Sequence, residues 1–283
     1  MATRVIDPGT DVVRLEVSDR FGIITLNRPE RRNALHHEMY APIKRVLTEF
    51  ADDDDVSCIV VTGAGVGFCA GGDVRGDRPR DRSQAPPSVD EAAADLLDRA
   101  QLSRLLHESP KLTIAAVNGA AVGAGLSIAL ACDLRIIAPS ATLITGWARL
   151  AFSGDFGGAW FLTRLVGPAK ALELLVGNAT VGAQEALRLG LVNHVADIDG
   201  ADPDAFGPAW RAWAAPFAAA SREATAMMKA NVRQALVDPL STALVDESRR
   251  MVEAGRTADH KHAVRAWLDK RDPDFGAGRP EPS

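Results

Sequence analysis

The stretch from Ala115 to Asp133, AAVNGAAVGAGLSIALACD, limits what this chain can fold into more than any other. The apolar run Leu112–Val117 leads into it and reads as a buried strand, with Asn118-Gly119 as a turn. Leu126–Ala131 is apolar on every side and rich in good helix formers, which predicts a buried helix. Gly123-Ala124-Gly125 stands where that helix begins. The first turn of a helix carries N–H groups with no intrahelical partner, and its positive dipole end favours negative charge. Small residues here also let a helix lie close against a sheet, so packing alone accounts for this stretch taken singly. A second stretch, VGFCAGGDV at Val66–Val74, follows another apolar run, Cys58–Thr62, and again brings bare backbone to a turn. Two such turns can offer two backbone donors to one carbonyl oxygen, each worth about 3–4 kcal/mol in a transition state.

With 283 residues the chain can bury a sizeable core, and 47% apolar with 24% charged residues is ordinary for a globular protein. A net charge of −5 argues against nucleic acid or an anionic membrane as the main partner. No apolar run reaches membrane-span length, and the start, MATRVIDPGTD, reads as neither a signal peptide nor a convincing transit peptide. Cys58, Cys69 and Cys132 lie in or beside apolar runs without CxxC spacing, which reads as buried free thiols in a reducing, cytoplasmic setting. No pair of histidines has metal-ligand spacing near a third ligand, and Asp52–Asp55 reads as a solvated loop, so no metal is expected.

Along the chain, Val12–Val17 and Gly22–Leu26 form a predicted hairpin through Ser18-Asp19-Arg20. Arg28–Arg32 is a charged turn around Pro29, with Asn33 or a neighbour as the cap of a helix running to Phe50. Arg75–Ser88, rich in Arg, Pro and Asp, reads as a mobile segment or lid. Val89–His107 is a predicted helix with Leu96, Leu97, Leu102, Leu105 and Leu106 on its apolar face. Short strands follow at Leu134–Ile137 and Ala141–Ile144, then helices at Gly158–Leu165, Pro168–Val176 and Ala183–Leu189. From Asp204 to Lys270 the chain is helical and Ala-rich, so an α/β part precedes an all-α part.

From about Val13 to Phe275 the sequence resembles the crotonase (enoyl-CoA hydratase/isomerase) superfamily. The matching pieces stand in the family's order: ITLNRPERRNAL at Ile24–Leu35, GFCAGGDV at Gly67–Val74, AAVNGAAVGAG at Ala115–Gly125, GDFGGAWFLTRLVG at Gly154–Gly167, AQEALRLGLVNHV at Ala183–Val195 and DHKHAVRAWLDKRDPDFG at Asp259–Gly276. The resemblance implies an α/β fold, a spiral of ββα turns with a C-terminal α-helical trimerisation region. It divides the chain into a core at residues 1–200, with the acyl-CoA site, and a helical region at 201–283 that serves oligomerisation and part of the CoA site. It also implies an acyl-CoA substrate, no cofactor beyond the CoA that the substrate carries, and a homotrimer or dimer of trimers.

By the same resemblance the two oxyanion donors are the N–H groups of Gly72 and Ala124, the second usually a glycine in the family. The residues implied for CoA are Arg32, Ala34, Ala70, Asp73, Val74 and Lys270. Hydratases of the family carry two glutamates, which align here with Ser127 and Trp147; neither can act as a carboxylate base. Losing one positioned base typically costs about 10²–10⁴-fold. Asp155, eight residues beyond Trp147, reads on its own as a cap for the next helix, and the resemblance gives it a catalytic role instead. It aligns with the catalytic Asp of dienoyl-CoA isomerases and ring-epoxide phenylacetyl-CoA isomerases, whose PDxGGTW resembles Gly154–Trp160. An Asp against an apolar acyl pocket would have its pKa raised, which suits proton shuttling.

The expected activity is double-bond or ring isomerisation of an acyl-CoA through an oxyanion-stabilised enolate. Asp155 shuttles the proton, and Trp147 and Ser127 line the acyl pocket. Three alternatives stand beside it: hydration by a non-standard base, acyl-CoA binding without catalysis, and aryl-CoA dehalogenase-like hydrolysis. The last needs a histidine base, and between Gly72 and Ser103 there is none; His107 reads as structural. RNA binding would want a basic helix face, and Met39–Phe50 offers only Lys44 and Arg45.

Overall fold

The computed structural model describes residues 3–73, 86–199 and 204–276. In chain order it holds β1 (Arg4–Ile6), β2 (Val13–Ser18), β3 (Phe21–Leu26), α1 (His37–Asp52), β4 (Cys58–Gly63) and β5 (Gly67–Cys69). Next come α2 (Val89–Glu108), β6 (Leu112–Val117), β7 (Ala120–Val122), α3 (Ala124–Ala131), β8 (Leu134–Ile137) and β9 (Thr142–Ile144). Then follow α4 (Gly158–Val176), β10 (Thr180–Gly182), α5 (Ala183–Arg188), β11 (His194–Val195), α6 (Phe206–Ala218), α7 (Arg222–Ala235), α8 (Leu240–Ala254) and α9 (Ala258–Leu268).

Two sheets organise the α/β part. Seven strands pair in the order β1-β2-β3-β4-β6-β8-β11, antiparallel up to β3 and parallel beyond it. Four short strands form the second sheet, β10-β9-β7-β5. Three successive units, β4-β5-α2, β6-β7-α3 and β8-β9-α4, each give one strand to the large sheet, one to the small sheet and then a helix. This is the expected spiral of ββα turns. The parallel strands are nearly continuous apolar runs because both faces of the sheet are covered, and Ile59, Val60, Ile114 and Ala115 are wholly buried. The β2–β3 hairpin turns where expected, with Asp19 and Arg20 both at positive φ as a two-residue type I′ turn requires.

Two local expectations are corrected. Asn33 does not cap α1, whose N-cap is His36 without a side-chain cap bond. Asn33 is instead fully buried: its Nδ2 donates to the carbonyls of Ala64 and Gly67 at 2.9 and 2.7 Å, and its Oδ1 accepts from the Arg28 N–H. A buried amide satisfied on both ends fixes the turn that precedes the helix. On α2, Leu102 and Leu106 are buried, but Leu96 and Leu97 are exposed, so only the second half of the helix docks on the core. The helices expected on either side of Gly167 are both present, and α4 comprises the two of them joined across a kink at Gly167, whose φ 77°, ψ 163° is not helical.

The helical region is pinned to the core by a buried ion pair. Lys229 on α7 donates to Asp133 Oδ2 at 2.5 Å and to the Lys111 carbonyl at 3.1 Å. The same Asp133 oxygen accepts from the N–H and Oγ1 of Thr113 on β6. Lys229→Met should lower unfolding stability by about 2–3 kcal/mol in urea melts. That is less than the ~3–5 kcal/mol of a wholly buried pair, because Asp133 keeps its Thr113 donors and some solvent.

All three cysteines are free and buried, and burial pushes each thiol up to about 12. Native protein at pH 8 should therefore show no reaction with a thiol-specific disulfide reagent, and three equivalents should titrate on unfolding. No helix among the described residues is long and apolar enough to cross a membrane.

Candidate active site

The two small-residue turns meet. After β5, the Ala70 N–H donates to the Arg32 carbonyl at 2.9 Å, and the Gly71 carbonyl accepts from the Leu35 N–H at 2.8 Å. Leu35 and Gly72 form a parallel bridge. In that pattern the partners of Leu35 are the groups flanking Gly72, so the N–H of Gly72 itself points away from the ladder. Gly71 has φ 86°, and a Cβ there would lie 2.8 Å from the Val122 carbonyl and 3.6 Å from the Ala124 nitrogen. Only glycine lets the first turn approach the second this closely. A Cβ on Gly72 would meet nothing within 4 Å, since it borders a cavity of about 250 Å³.

Across the contact, Gly123 at φ 52° precedes Ala124, the first residue of α3. Ala124 is not among the positive-φ residues, so alanine fits where the family usually has glycine. Its N–H belongs to the unpartnered first turn of a helix. Ala124 and Gly72 both line the cavity.

Asp155 lines the same cavity. It does not cap α4, whose N-cap is Gly157 without a side-chain bond. Its Oδ1 accepts from Trp147 Nε1 at 2.9 Å, and its carbonyl accepts from Ser127 Oγ and from the Gly158 N–H, both at 2.9 Å. Burial raises the Asp155 pKa, and the indole hydrogen bond partly offsets that rise. A Cβ on Gly158 would come within 2.6 Å of the Trp147 ring and 2.7 Å of Ser127 Oγ, so this glycine leaves room for both.

The residues expected at CoA are distributed unevenly. Ala70 and Asp73 line the cavity, while Ala34 is buried beside it and Arg32 is exposed at the preceding turn. Val74 lies outside the described residues, as does most of the Arg75–Ser88 segment. Lys270 is exposed beyond α9 and is not among the cavity-lining residues. Sequence reasoning missed Arg28, which donates to the Ala34 carbonyl at 2.8 Å and to Asp73 Oδ2 at 3.2 Å and so ties two of these positions together. It also missed Tyr40, Arg99, Leu150 and Phe152, which complete the cavity wall from three separate segments. His107 sits elsewhere, against Trp160 and Phe161 in a largely apolar space between α4 and α7, and burial lowers its pKa.

A ββα spiral carrying two facing backbone-donor turns is the architecture of the crotonase superfamily, and solved structures of that fold superpose closely. The crystal structure of an enoyl-CoA hydratase from Polaromonas sp. JS666 matches with a TM-score of 0.83 at 33% identity, covering 93% of this chain and 98% of that one. The chain belongs to the enoyl-CoA hydratase/isomerase family, whose sequence model matches residues 16–278. Among curated relatives, one from Rhodobacter capsulatus named "Probable enoyl-CoA hydratase" is 37% identical over 93% of this chain and 97% of its own length. The 1,2-epoxyphenylacetyl-CoA isomerase of Escherichia coli K12 is 34% identical over 89% of this chain and 93% of its own. The protein is thus a crotonase-superfamily enzyme.

Proposed function

We propose that this enzyme isomerises an unsaturated or ring-bearing acyl-CoA, with Asp155 moving a proton between carbons of a thioester enolate. One observation carries the reading. Asp155 shares its cavity with both backbone turns, while the two positions aligned with the hydratase glutamates hold Ser127 and Trp147. In this reading the thioester oxygen sits between the N–H groups of Gly72 and Ala124, which stabilise the charge that develops on it. The Asp155 carboxylate takes a proton from C2, the electron pair moves into the thioester as an enolate, and the protonated carboxyl returns the proton at C4. A 3-enoyl group then becomes a 2-enoyl group with no atom gained or lost. CoA lies along Arg32, Ala34, Ala70, Asp73 and Val74, with Lys270 supplying a cation for its phosphates.

Hydration is the second reading, favoured by the name of the Rhodobacter capsulatus relative. A panel of 2-enoyl-, 3-enoyl- and aryl-acetyl-CoA thioesters incubated in D₂O separates the two by mass. Carbon-bound deuterium without added water supports isomerisation, whereas a gain of water means that hydration proceeds without the usual glutamates. The protein is further proposed to be a homotrimer or a dimer of trimers. Supporting this, α7, α8 and α9 expose the large apolar side chains Met228, Val232, Leu244, Met251 and Trp267. Sedimentation at micromolar concentration should give three or six chains; a monomer would remove this part of the reading.

A further inference from the structure

The positions where hydratases keep their two glutamates are here the two side chains that hold Asp155. Trp147 grips the carboxylate through Nε1–H to Oδ1, and Ser127, from the buried helix α3, grips the backbone carbonyl through Oγ–H. Ser127 is wholly buried and Trp147 nearly so, which leaves neither much rotameric freedom. Gly158 closes the arrangement from α4, since any side chain there would collide with both. Oδ2 has no hydrogen-bond partner among the described residues, and Asp155 borders the cavity.

We propose that Trp147 and Ser127 are positioning residues that clamp Asp155 at its side chain and its backbone, so that one oxygen, Oδ2, carries the proton throughout the reaction. This inference rests on the isomerase reading for its catalytic consequence, but the clamp itself can be tested without turnover. With Oδ1 held by the indole, a rotation that exchanges the two carboxyl oxygens costs that hydrogen bond, so Oδ2 is the oxygen favoured for the proton. A proton taken from C2 by Oδ2 therefore stays over the same face of the enolate and is delivered at C4 before solvent replaces it. The other charged or titratable groups around the cavity are Tyr40 on α1, Asp73 after β5 and Arg99 on α2. Arg149, in the turn after Trp147, is exposed, and α3 carries no charged residue. None of these contributes to the shift of Asp155, which comes from burial and from the Trp147 bond.

The test has one arm that reads the clamp and one that reads the chemistry. In ¹⁵N-labelled protein the five tryptophan indoles are separate reporters, and loss of one signal in Trp147→Phe assigns Trp147. That indole N–H resonance should titrate with a midpoint above the ordinary Asp value and be flat in Asp155→Asn. In the chemical arm, a 3-enoyl-CoA deuterated at C2 is turned over in H₂O. The parent should carry a measurable share of the label to C4; Trp147→Phe should lose most of it, and Ser127→Ala part of it. The acid limb of kcat/KM should move up by about one to two pH units in Trp147→Phe, because a hydrogen bond to the charged form is removed.

A Trp147 indole that ignores Asp155 overturns the proposal, as do an unchanged acid limb and unchanged label transfer in Trp147→Phe. An indole that titrates with Asp155 while no acyl-CoA is isomerised upholds the clamp and removes the isomerase reading instead. If Trp147→Phe does not fold, Ser127→Ala and the indole titration of the parent still decide.

Discussion

Asp155→Asn should lower kcat for isomerisation by about 10²–10⁴-fold while leaving KM within a few-fold, the loss expected when a positioned proton carrier is removed. Asparagine keeps the shape of the side chain and can still accept from Trp147 Nε1, so the clamp and the cavity wall survive. What disappears is the proton-carrying oxygen. The same substitution should stabilise the fold at neutral pH. Because the folded-state pKa of Asp155 is raised, the native protein binds its proton more tightly than the unfolded chain does. Unfolding free energy therefore falls as pH climbs from the ordinary value of 3.8 through the raised one, and remains lower above it. Asparagine has no such slope. Melting curves of the two proteins should coincide near pH 3 and separate at pH 7 with the variant higher, a stability gain bought with activity. Full turnover by the variant on the true substrate would remove Asp155 from the mechanism.

Ala124→Pro should cost about 10²–10³-fold in kcat, the loss typical of deleting one oxyanion donor. The fold makes this an unusually clean deletion. Ala124 is the first residue of α3, the position where proline's fixed φ suits a helix and its missing N–H breaks no intrahelical bond. The preceding residue, which proline restricts, is Gly123, already at φ 52° and without a side chain to clash. Circular dichroism and melting temperature should therefore stay near those of the parent. Ala124→Gly, which keeps the donor, should stay within a few-fold of full activity. Equal losses in both variants would mean that the first turn of α3 acts by packing and not through its N–H.

These two sites were legible in the sequence for different reasons. The turns declare themselves through residues that only close backbone approach explains, and the long strands of the large sheet through apolar runs that only two-sided burial permits. The short strands β5 and β7 were hidden, because three residues inside a small-residue turn carry no alternation to read, whereas β9 was legible at Ala141–Ile144. Asn33 looked like a cap, being a good capping residue ahead of a helix. Its true partners, Ala64 and Gly67, lie over thirty positions away in the chain. Leu96 and Leu97 have the spacing of a docked face, but spacing cannot say how far along a helix its neighbour reaches. Asp155 could be picked out, yet its two holders could not: Ser127 meets it from 28 residues away, through a backbone carbonyl that no sequence pattern marks.

The buried pair between Lys229 and Asp133 gives the C-terminal helices a bearing on the chemistry. Asp133 stands two residues past the end of α3, the rod whose other end presents Ala124. Eight residues make that rod only about 12 Å long. Near its front it is seated on Cys69, where Gly125 admits the neighbouring backbone, and at its rear Asp133 is moored to α7 by Lys229. The packing that aims the proposed donor thus includes one contact that belongs to the far end of the chain. A shortened protein ending near residue 200 would keep every residue of the cavity and lose the α7 contact at the rear of that rod, leaving Asp133 to its Thr113 donors.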